Sequence, residues 1–395
     1  MIETYDVIVI GGGPAGASAA YTATTHGLRT CIVDKARFPR EKLCGGLLTL
    51  RSKKIFERVF GQEWPQNLVS TSSNVFFGLF HGRRVNGPKH SILHFTMRRD
   101  FDAYLLGLAE TAGTVVTQGV RVVSIDLEAC IASLSNGDQL KYRFLIGADG
   151  VNSQIAHIIF GQAFDQRTIG FGLEVEVSRQ DLSLPKTDEI EIDLAAARWG
   201  YGWIFPKART LTIGVGGIHR LNPDLRDHLR HYLEKSGLNI EKYDVKGQFI
   251  PFGDFRAYPA RGNVLLCGDA AGFVDPITGE GIAYAMESGS IAAHTIALGI
   301  KESWSAGGVA HKYVQELEQI TTSLQQANFW RWFIFPMIVQ RAFAWAFADA
   351  STLQKEYLEI LAGNKKYSDL PGLVAFQFMK GLRKLARFVL RSIRN

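Results

Sequence analysis

A glycine-rich segment near the start of the chain has the residue types and spacing of a dinucleotide-binding turn. Gly11-Gly12-Gly13-Pro14-Ala15-Gly16 follows an apolar run and opens a segment rich in Ala and Thr. Gly11 permits a tight turn, Gly13 lets a pyrophosphate approach the backbone, and Gly16 lets a helix and a strand pack closely. Asp34 ends the next apolar run, where a carboxylate binds a ribose hydroxyl. The alternative is an ordinary glycine turn beside a solvent-facing aspartate.

A pair of arginines precedes another helical pattern. Arg98-Arg99-Asp100-Phe101-Asp102 combines two cations with a residue type that often caps helices. One arginine could form a charge-assisted fork on a pyrophosphate. Alternatively, Asp100 caps the helix and the arginine is solvated, and the residues alone favour neither interpretation.

Two aspartate motifs follow apolar runs farther along the chain. The first ends in Asp149-Gly150, which also suits simple turn chemistry. The second spans residues 268–281, contains Asp269, and lies between an apolar run and a long helical pattern. At such a junction a carboxylate can reach a ribitol hydroxyl, and backbone N–H groups can face an anionic ring.

A parallel sheet with covering helices would position these motifs. The patterns predict strands over 5–10, 29–34, 142–147 and 263–267, and helices over 14–26, 50–60, 100–112, 222–236 and 279–300. We expect two short strands within 114–134, a hairpin turn at Asn136-Gly137, and mostly β-structure over 169–217. The fold class is therefore α/β, with a Rossmann-type dinucleotide-binding domain interleaved with a β-sheet domain, plus C-terminal helices.

The expected domain boundaries follow from the same patterns. We expect residues 1–70, 98–168 and 260–308 to form the discontinuous dinucleotide-binding domain, and residues 71–97 and 169–259 to form the β-sheet domain. Residues 309–395 form a helical C-terminal region.

In their order and spacing, these motifs resemble the flavoproteins of the para-hydroxybenzoate hydroxylase fold, and most closely the geranylgeranyl reductase family. Lys42-Leu43-Cys44-Gly45-Gly46-Leu47-Leu48 is similar to the family's KxCGG segment, and residues 200–207 are similar to its YxWxFPK motif. The resemblance covers most of residues 1–300 and implies FAD as the cofactor. It also implies that the dinucleotide-binding domain is an FAD-binding domain and that the β-sheet domain is the substrate domain. The cofactor-binding residues that it implies are Gly11, Gly13, Pro14, Ala15, Gly16, Asp34, Lys35, Cys44, Gly45, Gly46, Arg98, Val122, Asp149, Gly150, Gly268, Asp269, Pro276, Gly279, Gly281 and Ile282.

The resemblance also implies roles within this set. The three spaced glycines and Asp34 would hold the ADP half, and Arg98 would lie near the pyrophosphate. Asp149 would lie near the pyrophosphate and the approach of a nicotinamide, and Asp269 would bind pyrophosphate or ribitol. Residues 279–282 would flank the isoalloxazine.

Two positions bear on the branch of the family. Ala156 stands where the family's DGxxSxxR pattern often has arginine, which puts that arginine contact and the source of electrons in doubt. Residues 268–272 read GDAAG, where the aromatic hydroxylases more often have GDAAH, and this favours the reductases.

The activity implied is an FAD-dependent reduction of C=C bonds in an isoprenoid or lipid-like, geranylgeranyl-type substrate. Such an alkene has no electron sink, so it needs a hydride from reduced flavin and a proton on the neighbouring carbon. NADPH or a reduced electron carrier is the expected donor to the flavin. The rivals are a flavin monooxygenase or halogenase of the same fold, and a quinone-linked electron-transfer flavoprotein.

The predicted catalytic residues are Cys44, Tyr201 and Trp203. The Cys44 thiol could donate the proton or tune the flavin ring, or it could be a small packing residue. Tyr201, Trp203 and Phe205 alternate on a predicted strand and share one face. They could wall a prenyl tunnel, or they could be ordinary core. Two further aromatic residues could extend such a wall, Phe252 and Phe255.

The charge is unevenly distributed. The chain of 395 residues has a formal net charge of +6. Residues 372–395 carry six basic residues and no acidic one: Lys380, Arg383, Lys384, Arg387, Arg391 and Arg394. Five of them recur at helical spacing: Lys380, Lys384, Arg387, Arg391 and Arg394. This pattern predicts a basic amphipathic helix over 376–394 for an anionic membrane surface, with a solvated charged face as the alternative. No nucleic-acid motif occurs in the sequence, so we expect no nucleic-acid partner.

The cysteines and the apolar segments suggest a compartment. The four cysteines form no CxxC pair, so we expect neither a metal site nor a disulfide framework. The N-terminus lacks the features of a signal peptide, which predicts a cytoplasmic protein, with peripheral contact on the inner face of the membrane. Residues 329–347 are strongly aromatic, but they contain Arg331, Pro336, Gln340 and Arg341, which argues against a spanning helix. This segment could close an apolar pocket, rest at a membrane interface, or pack on the core.

Overall fold

The computed structural model describes residues 2–72, 74–80, 83–87, 93–181, 189–349, 351–370 and 383. The predicted basic helix over 376–394 lies, except for Arg383, outside the described residues. The strands are β1 (Glu3–Ile10), β2 (Thr30–Asp34), β3 (Leu47–Leu48), β4 (Val69–Ser72), β5 (Asn74–Leu79), β6 (Arg83–Asn86), β7 (Leu93–Thr96), β8 (Val115–Gln118), β9 (Val122–Asp126), β10 (Ile131–Leu134), β11 (Gln139–Gly147), β12 (Gly170–Ser178), β13 (Glu189–Asp193), β14 (Tyr201–Pro206), β15 (Thr210–Ile218), β16 (Lys246–Ile250), β17 (Ala260–Arg261) and β18 (Val264–Leu266). The helices are α1 (Pro14–Thr25), α2 (Leu50–Phe60), α3 (Arg98–Thr111), α4 (Gln154–Phe160), α5 (Leu225–Lys235), α6 (Ile282–Lys301), α7 (Ala306–Glu316), α8 (Glu318–Trp330), α9 (Met337–Asp349) and α10 (Ser351–Leu361).

The first sheet has the strand order β17-β18-β11-β1-β2-β8, with β9 and β10 attached to β11 as an antiparallel arm. Strand β1 pairs in parallel with both β2 and β11. Its apolar run is buried because helices cover the sheet, as is usual for parallel strands. The carboxyl ends of β1, β2, β11 and β18 meet at one edge, and the glycine turn, Asp34, Asp149 and Gly268 all follow there.

The second sheet has the order β16-β12-β15-β14-β13-β5-β6 and is antiparallel except where β13 meets β5. Strands β12 and β15 pair along their full length, from Gly170 opposite Ile218 to Ser178 opposite Thr210. A small sheet, β3-β7-β4, contains strands from both sides of the first proposed boundary near residue 70. The two large sheets otherwise draw their strands from the segments expected for each domain, and the exact boundaries remain a proposal.

The C-terminal helices cover part of the second sheet. The rings of Phe77 on β5 and Phe347 on α9 contact each other edge to face, with centroids 5.0 Å apart. Phe335 and Leu358 are buried in the same cluster, so part of the aromatic segment over 329–347 packs on the core. No described helix combines the length and the hydropathy needed to cross a bilayer.

The local patterns predicted most elements within a few residues. Helices α1, α2, α3, α5 and α6 lie where helical periodicity was expected, and the Asn136-Gly137 turn joins β10 to β11 in an antiparallel hairpin. The prediction of two strands within 114–134 was wrong, because this segment contains the three strands β8, β9 and β10. Strand β8 pairs with β2 in the parallel sheet, whereas β9 pairs with β10, and this division depends on tertiary contacts.

Candidate flavin and substrate site

The glycine turn between β1 and α1 leaves the backbone N–H groups at the start of the helix without a side-chain cap. Gly11 has φ +107°, and a Cβ atom there would overlap the carbonyl oxygen of Ala148. A Cβ atom on Gly16 would overlap the carbonyl oxygen of Gly11. Gly13 caps α1 without a side-chain hydrogen bond, and the first helical turn has no acidic residue. The helix start is therefore suited to an anionic group.

Asp34 lies at the end of β2, beside this turn. Its Oδ2 accepts a hydrogen bond from the Gly12 N–H at 2.6 Å, and its Oδ1 accepts one from the Ala36 N–H at 2.8 Å. A carboxylate can accept about four hydrogen bonds, so acceptor positions remain for a ribose hydroxyl. The neighbouring Lys35 is exposed.

The Arg98 side chain is held by a buried carboxylate. Its Nε and Nη2 donate to the two oxygens of Asp102 at 2.6 and 2.8 Å. Helix α3 begins at Arg98 with Met97 as the N-cap, so Asp100 does not cap it, and Arg98 is not solvated. The Asp100 cap of the alternative interpretation is therefore wrong, and the solvated arginine of the pair is Arg99. Two donors of Arg98 are committed within the protein, and the Cys44 side chain lies close to it.

Arg40 shares Asp102 with Arg98, and the sequence patterns did not single it out. Its Nη2 lies 3.1 Å from Asp102 Oδ2, and its guanidinium stacks on the Phe38 ring at 4.7 Å. Its Nη1 is buried without a hydrogen-bond partner among the described residues. A Cβ atom on Gly13 would lie 3.4 Å from Nη2. An unpaired cationic donor thus borders the start of α1, where it could bind a phosphate.

A further cation lies between the glycine turn and the second aspartate motif. Lys42 is half-buried, and burial lowers the pKa of its ammonium group while the nearby Asp269 opposes that shift. Arg40 and Arg98 are close enough to lower it further. The KxCGG segment therefore places positive charge near Asp269, in a region that can attract an anion.

Asp149 has a local structural task. Its carboxylate accepts hydrogen bonds from Ser153 Oγ at 2.5 Å, from the Gln154 N–H at 2.7 Å and from the Ile155 N–H at 3.2 Å. It thereby satisfies N–H groups at the start of α4, which is the turn chemistry expected as the alternative. Burial raises the pKa of this carboxyl, and the hydrogen bonds oppose the shift.

The loop from Asp275 to Gly281 is fixed from two sides. Buried Asp275 accepts hydrogen bonds from the Ile277 and Thr278 N–H groups, both at 2.9 Å, and from the Tyr367 hydroxyl at 2.9 and 3.0 Å. The Tyr201 hydroxyl donates to the Thr278 carbonyl oxygen at 2.5 Å. Strand β14 and the C-terminal region therefore hold this loop together.

Comparisons with known proteins agree with this geometry. A family model described as an FAD binding domain matches residues 4–193. Menaquinone reductase of Mycobacterium tuberculosis is 30% identical over 74% of this chain and 77% of that protein. Geranylgeranyl diphosphate reductase of Rhodobacter capsulatus is 31% identical over 73% of this chain and 74% of that protein. The chain belongs to the geranylgeranyl reductase family. It is an FAD-dependent oxidoreductase.

Other members and solved structures extend the comparison. Digeranylgeranylglycerophospholipid reductase of Methanosarcina acetivorans is 26% identical over 100% of this chain and 96% of that protein. A geranylgeranyl bacteriochlorophyll reductase-like protein from Thermoplasma acidophilum has a TM-score of 0.75 at 20% identity, covering 100% of this chain and 99% of that one. A flavin-dependent brominase has a TM-score of 0.71 at 20% identity, covering 97% and 99%. These structures show the shared fold.

The residues of this geranylgeranyl reductase family member fit FAD. The bare helix start and the unpaired Nη1 of Arg40 suit its pyrophosphate. Gly268 has φ +56°, and a Cβ atom there would lie 3.0 Å from that of Ala15, so β18 and α1 meet closely behind the turn. Ala156, which replaces the family's frequent arginine, is fully buried in the core, where a guanidinium would lack room.

The aromatic residues of β14 form one face. The rings of Tyr201 and Trp203 lie 5.9 Å apart, and those of Trp203 and Phe205 lie 6.4 Å apart, which confirms that the three share a face. Trp203 overlies Gly214 on the next strand, where a Cβ atom would overlap the indole. A Cβ atom on Gly45 would lie 2.7 Å from the Phe205 ring. The two glycines thus allow the KxCGG loop and the aromatic face to meet.

Two predicted members of this face lie elsewhere. Phe252 packs with Ile218 and Val274, and the Phe255 ring contacts Phe273 at 6.5 Å. The expectation that they extend the aromatic wall is therefore wrong, because Phe252 packs on the ends of β12 and β15 and Phe255 packs against the core of the first sheet. Val122 is buried in the core of the first sheet, on β9. A surface cleft of about 380 Å³ beside α5 shares no residue with this site.

Cys44 lies between the two sheets and has a partner that the sequence patterns did not reveal. Its N–H donates to Glu174 Oε1 on β12 at 2.9 Å. Its half-buried Sγ accepts from the Gly46 N–H at 3.4 Å. Glu174 is distant in sequence and sits in an alternating strand, where no local signal distinguishes it from a solvent-facing residue.

Proposed function

We propose that this protein reduces C=C bonds in the prenyl chain of an isoprenoid lipid. The observation that carries the proposal is the aromatic face of β14, which meets the Cys44–Gly46 loop where that loop leaves the charged FAD-binding region. An apolar wall beside a flavin site suits a substrate without polar groups near its reacting carbons. The names of the relatives support this substrate class, since they include reductases of geranylgeranyl diphosphate, of a digeranylgeranyl glycerophospholipid and of menaquinone.

Several residues would hold the cofactor in this proposal. The glycines of the first turn and Arg40 would bind the pyrophosphate, Asp34 a ribose hydroxyl, and Asp269 the pyrophosphate or ribitol. The loop from Pro276 to Ile282 would border the flavin ring. Reduced flavin would supply a hydride to the alkene, after reduction by NADPH or by a small electron carrier.

The protein itself would position the substrate and exclude water. Trp203 and Phe205 are nearly fully buried within a hydrophobic cluster, so a prenyl chain that reached this cluster would be shielded from water. Tyr201 would act mainly by holding the Thr278 backbone, because its hydroxyl is already engaged there. Burial also raises the pKa of this phenol, so it stays protonated. Cys44 would border the ring, where its thiol could tune the flavin or carry a proton.

Substrate mixing under anaerobic conditions tests this function. The FAD-loaded protein would be reduced with dithionite and mixed separately with geranylgeranyl diphosphate, a digeranylgeranyl glycerophospholipid and menaquinone. We expect reoxidation of the flavin together with a product heavier by two hydrogens per step. Product from only one substrate would identify the head group. Cys44→Ala should retain FAD and lose alkene reduction, and unchanged turnover would remove the thiol from the mechanism.

The rival activities give different results in the same assay. A monooxygenase or halogenase would leave the alkene unchanged without oxygen and would place oxygen or halogen in the product when air is admitted. An electron-transfer flavoprotein would be reoxidised by the quinone ring, with no change in the prenyl chain. Either outcome would overturn the proposed function.

We also propose peripheral contact with an anionic membrane. Four large apolar side chains from the last turn of α8 to the first turn of α9 are 58–88% exposed: Phe329, Trp332, Met337 and Ile338. Such a ridge suits a lipid interface, and the basic residues over 376–394 would add attraction to anionic head groups. A double Met337→Asp/Ile338→Asp variant and a chain ending at Pro371 should each float less with phosphatidylglycerol vesicles than the full chain. Equal flotation of both would refute the contact.

A further inference from the structure

Glu174 is a buried carboxyl group that the cofactor-binding residues leave unexplained. It is 7% exposed, and only one of its oxygens has a hydrogen-bond partner among the described residues. Oε1 accepts from the Cys44 N–H at 2.9 Å, whereas Oε2 is buried and unpaired. Buried polar atoms are nearly always hydrogen-bonded, so Oε2 is expected to contact a group that arrives with a ligand.

The geometry of the sheet brings Glu174 onto the aromatic face. Gly214 on β15 pairs directly with Glu174 on one side and with Trp203 on the other. Directly paired residues project their side chains on the same face of a sheet. The indole overlies Gly214 and so extends toward β12.

A second polar atom on this face is also unpaired. Trp203 Nε1 is buried without a partner among the residues described, and it would lie 3.4 Å from a Cβ atom on Gly45. The donor Nε1 and the acceptor Oε2 thus both lie beneath the Cys44–Gly46 loop. Two buried polar atoms on one face of the sheet therefore lack partners among the described residues.

Burial and the surrounding charges together bring the pKa of the Glu174 carboxyl close to neutral pH. Burial raises the pKa of Glu174 to about 7, and Glu176 on the same strand acts in the same direction. Lys207 and Lys42 oppose the shift. Lys246, the paired residue on β16, is exposed. A general acid works best when its pKa lies near the working pH, so these charges suit proton donation.

Resting on the proposed function, we propose that Glu174 is the proton donor for alkene reduction and acts through its unpaired Oε2. Reduced flavin, when bound, would supply a hydride, with its two electrons, to one alkene carbon. The neighbouring carbon forms its new C–H bond with the proton from Oε2, and the O–H bond of the carboxyl breaks. The carboxylate that remains takes a proton from water before the next turnover, so atoms and charge balance.

Glu174→Gln separates proton donation from support of the loop. The amide oxygen can still accept from the Cys44 N–H, but the side chain has no acidic proton. We expect normal FAD content and normal reduction by dithionite. Alkene-dependent reoxidation should slow roughly 100-fold or more, the usual size of a lost general acid. Glu174→Asp keeps an acid and should recover part of the rate.

Glu191→Gln is the matched control. Glu191 lies on β13 of the same sheet, next to Ile192, which pairs with Trp203, so its side chain projects on the opposite face. Tyr232 Oη donates to it at 3.0 Å. The same carboxyl group is replaced by the same amide, and we expect a rate within about twofold of the wild type, since changes away from special sites are usually small.

A measurement without turnover tests the protonation state directly. Infrared difference spectra against pH should show a protonated carboxyl band that titrates near 7 and is absent from Glu174→Gln. The wild-type rate of alkene reduction should fall above the same pH, and the variant should lack this step. A full rate in Glu174→Gln, or an unchanged carboxyl band, would overturn the proposal while the reductase function stands. If the wild type reduces no prenyl alkene, the proposed function fails first, and the role of Glu174 in it fails too.

Discussion

Replacing Arg40 with methionine should weaken FAD binding more than any other single change of a cation at this site. Methionine keeps an apolar stem against the Phe38 ring but removes the guanidinium. Nη1 of Arg40 has no partner among the described residues, so its hydrogen bond is gained only when a phosphate binds. The loss of the Nη1 bond should therefore fall on FAD affinity, whereas the loss of the Nη2 contact with Asp102 should fall on stability.

The magnitude follows from the chemistry of the contact. A hydrogen bond to a charged group is worth about 1.5–3 kcal/mol. Since about 1.4 kcal/mol corresponds to a factor of ten, the Kd for FAD should rise roughly 10- to 100-fold. Arg40 is only 17% exposed, so added salt should screen the effect weakly. Quenching of FAD fluorescence on titration of the apoprotein, at low and at high salt, measures the Kd.

Two further arginines make the comparison decisive. Arg98→Met should act mainly on stability, because it removes the fork on fully buried Asp102, and breaking such a pair costs about 3–5 kcal/mol. Arg99 is exposed, and Arg99→Met should change the Kd less than about twofold. Wild-type affinity for FAD in Arg40→Met, together with lost affinity in a folded Arg98→Met, would refute this reasoning. It would indicate that Arg98, and not Arg40, binds the pyrophosphate.

Three other predictions concern the loops around the site. Tyr367→Phe removes a hydroxyl from buried Asp275, and the loss of about 1.5–3 kcal/mol should lower the unfolding temperature by roughly 2–4 °C in calorimetry; an unchanged temperature would contradict it. Gly45→Ala places a methyl group against the Phe205 ring, so overpacking should cost about 1–3 kcal/mol and alter the flavin absorption spectrum, whereas a wild-type spectrum and stability would count against the contact. Burial raises the pKa of Glu280 from 4.5 to about 7, so the folded chain holds a proton that the unfolded chain releases. The free energy of unfolding should fall by about 3 kcal/mol as the pH rises from 4.5 to about 7. Glu280→Gln should remove this part of the pH dependence. Identical profiles of unfolding temperature against pH for the two proteins would be evidence against it.

Sequence patterns were sufficient to predict a feature where the interacting residues lie within one short segment. The glycine turn is readable because Gly11 and Gly16 are required by contacts within one β–turn–α unit and with the adjacent strand. The aromatic face of β14 is readable because alternate residues of a strand always share a face. In both cases the chemistry is set over a few consecutive residues.

Residues whose partners are distant could not be found in this way. Arg40 becomes a candidate phosphate ligand only because Asp102, far along the chain, holds one side of its guanidinium. The Arg98 side chain binds that same carboxylate. Neither interpretation of the arginine pair, a pyrophosphate contact or a solvated side chain, had predicted this ion pair. Asp149 looked like a cofactor residue, yet the helix that follows uses its carboxylate.

By itself, the sequence determined the family, the FAD-binding turn and the order of most helices and strands. Each of these depends on local spacing or on a motif of a few consecutive residues. Only the tertiary structure decided which charges are paired and which remain free. Glu174 and Trp203 come together across Gly214, and Tyr367 reaches Asp275 from the C-terminal region. Burial and pairing are properties of the assembled fold, since a side chain loses water and gains partners only when distant segments close around it.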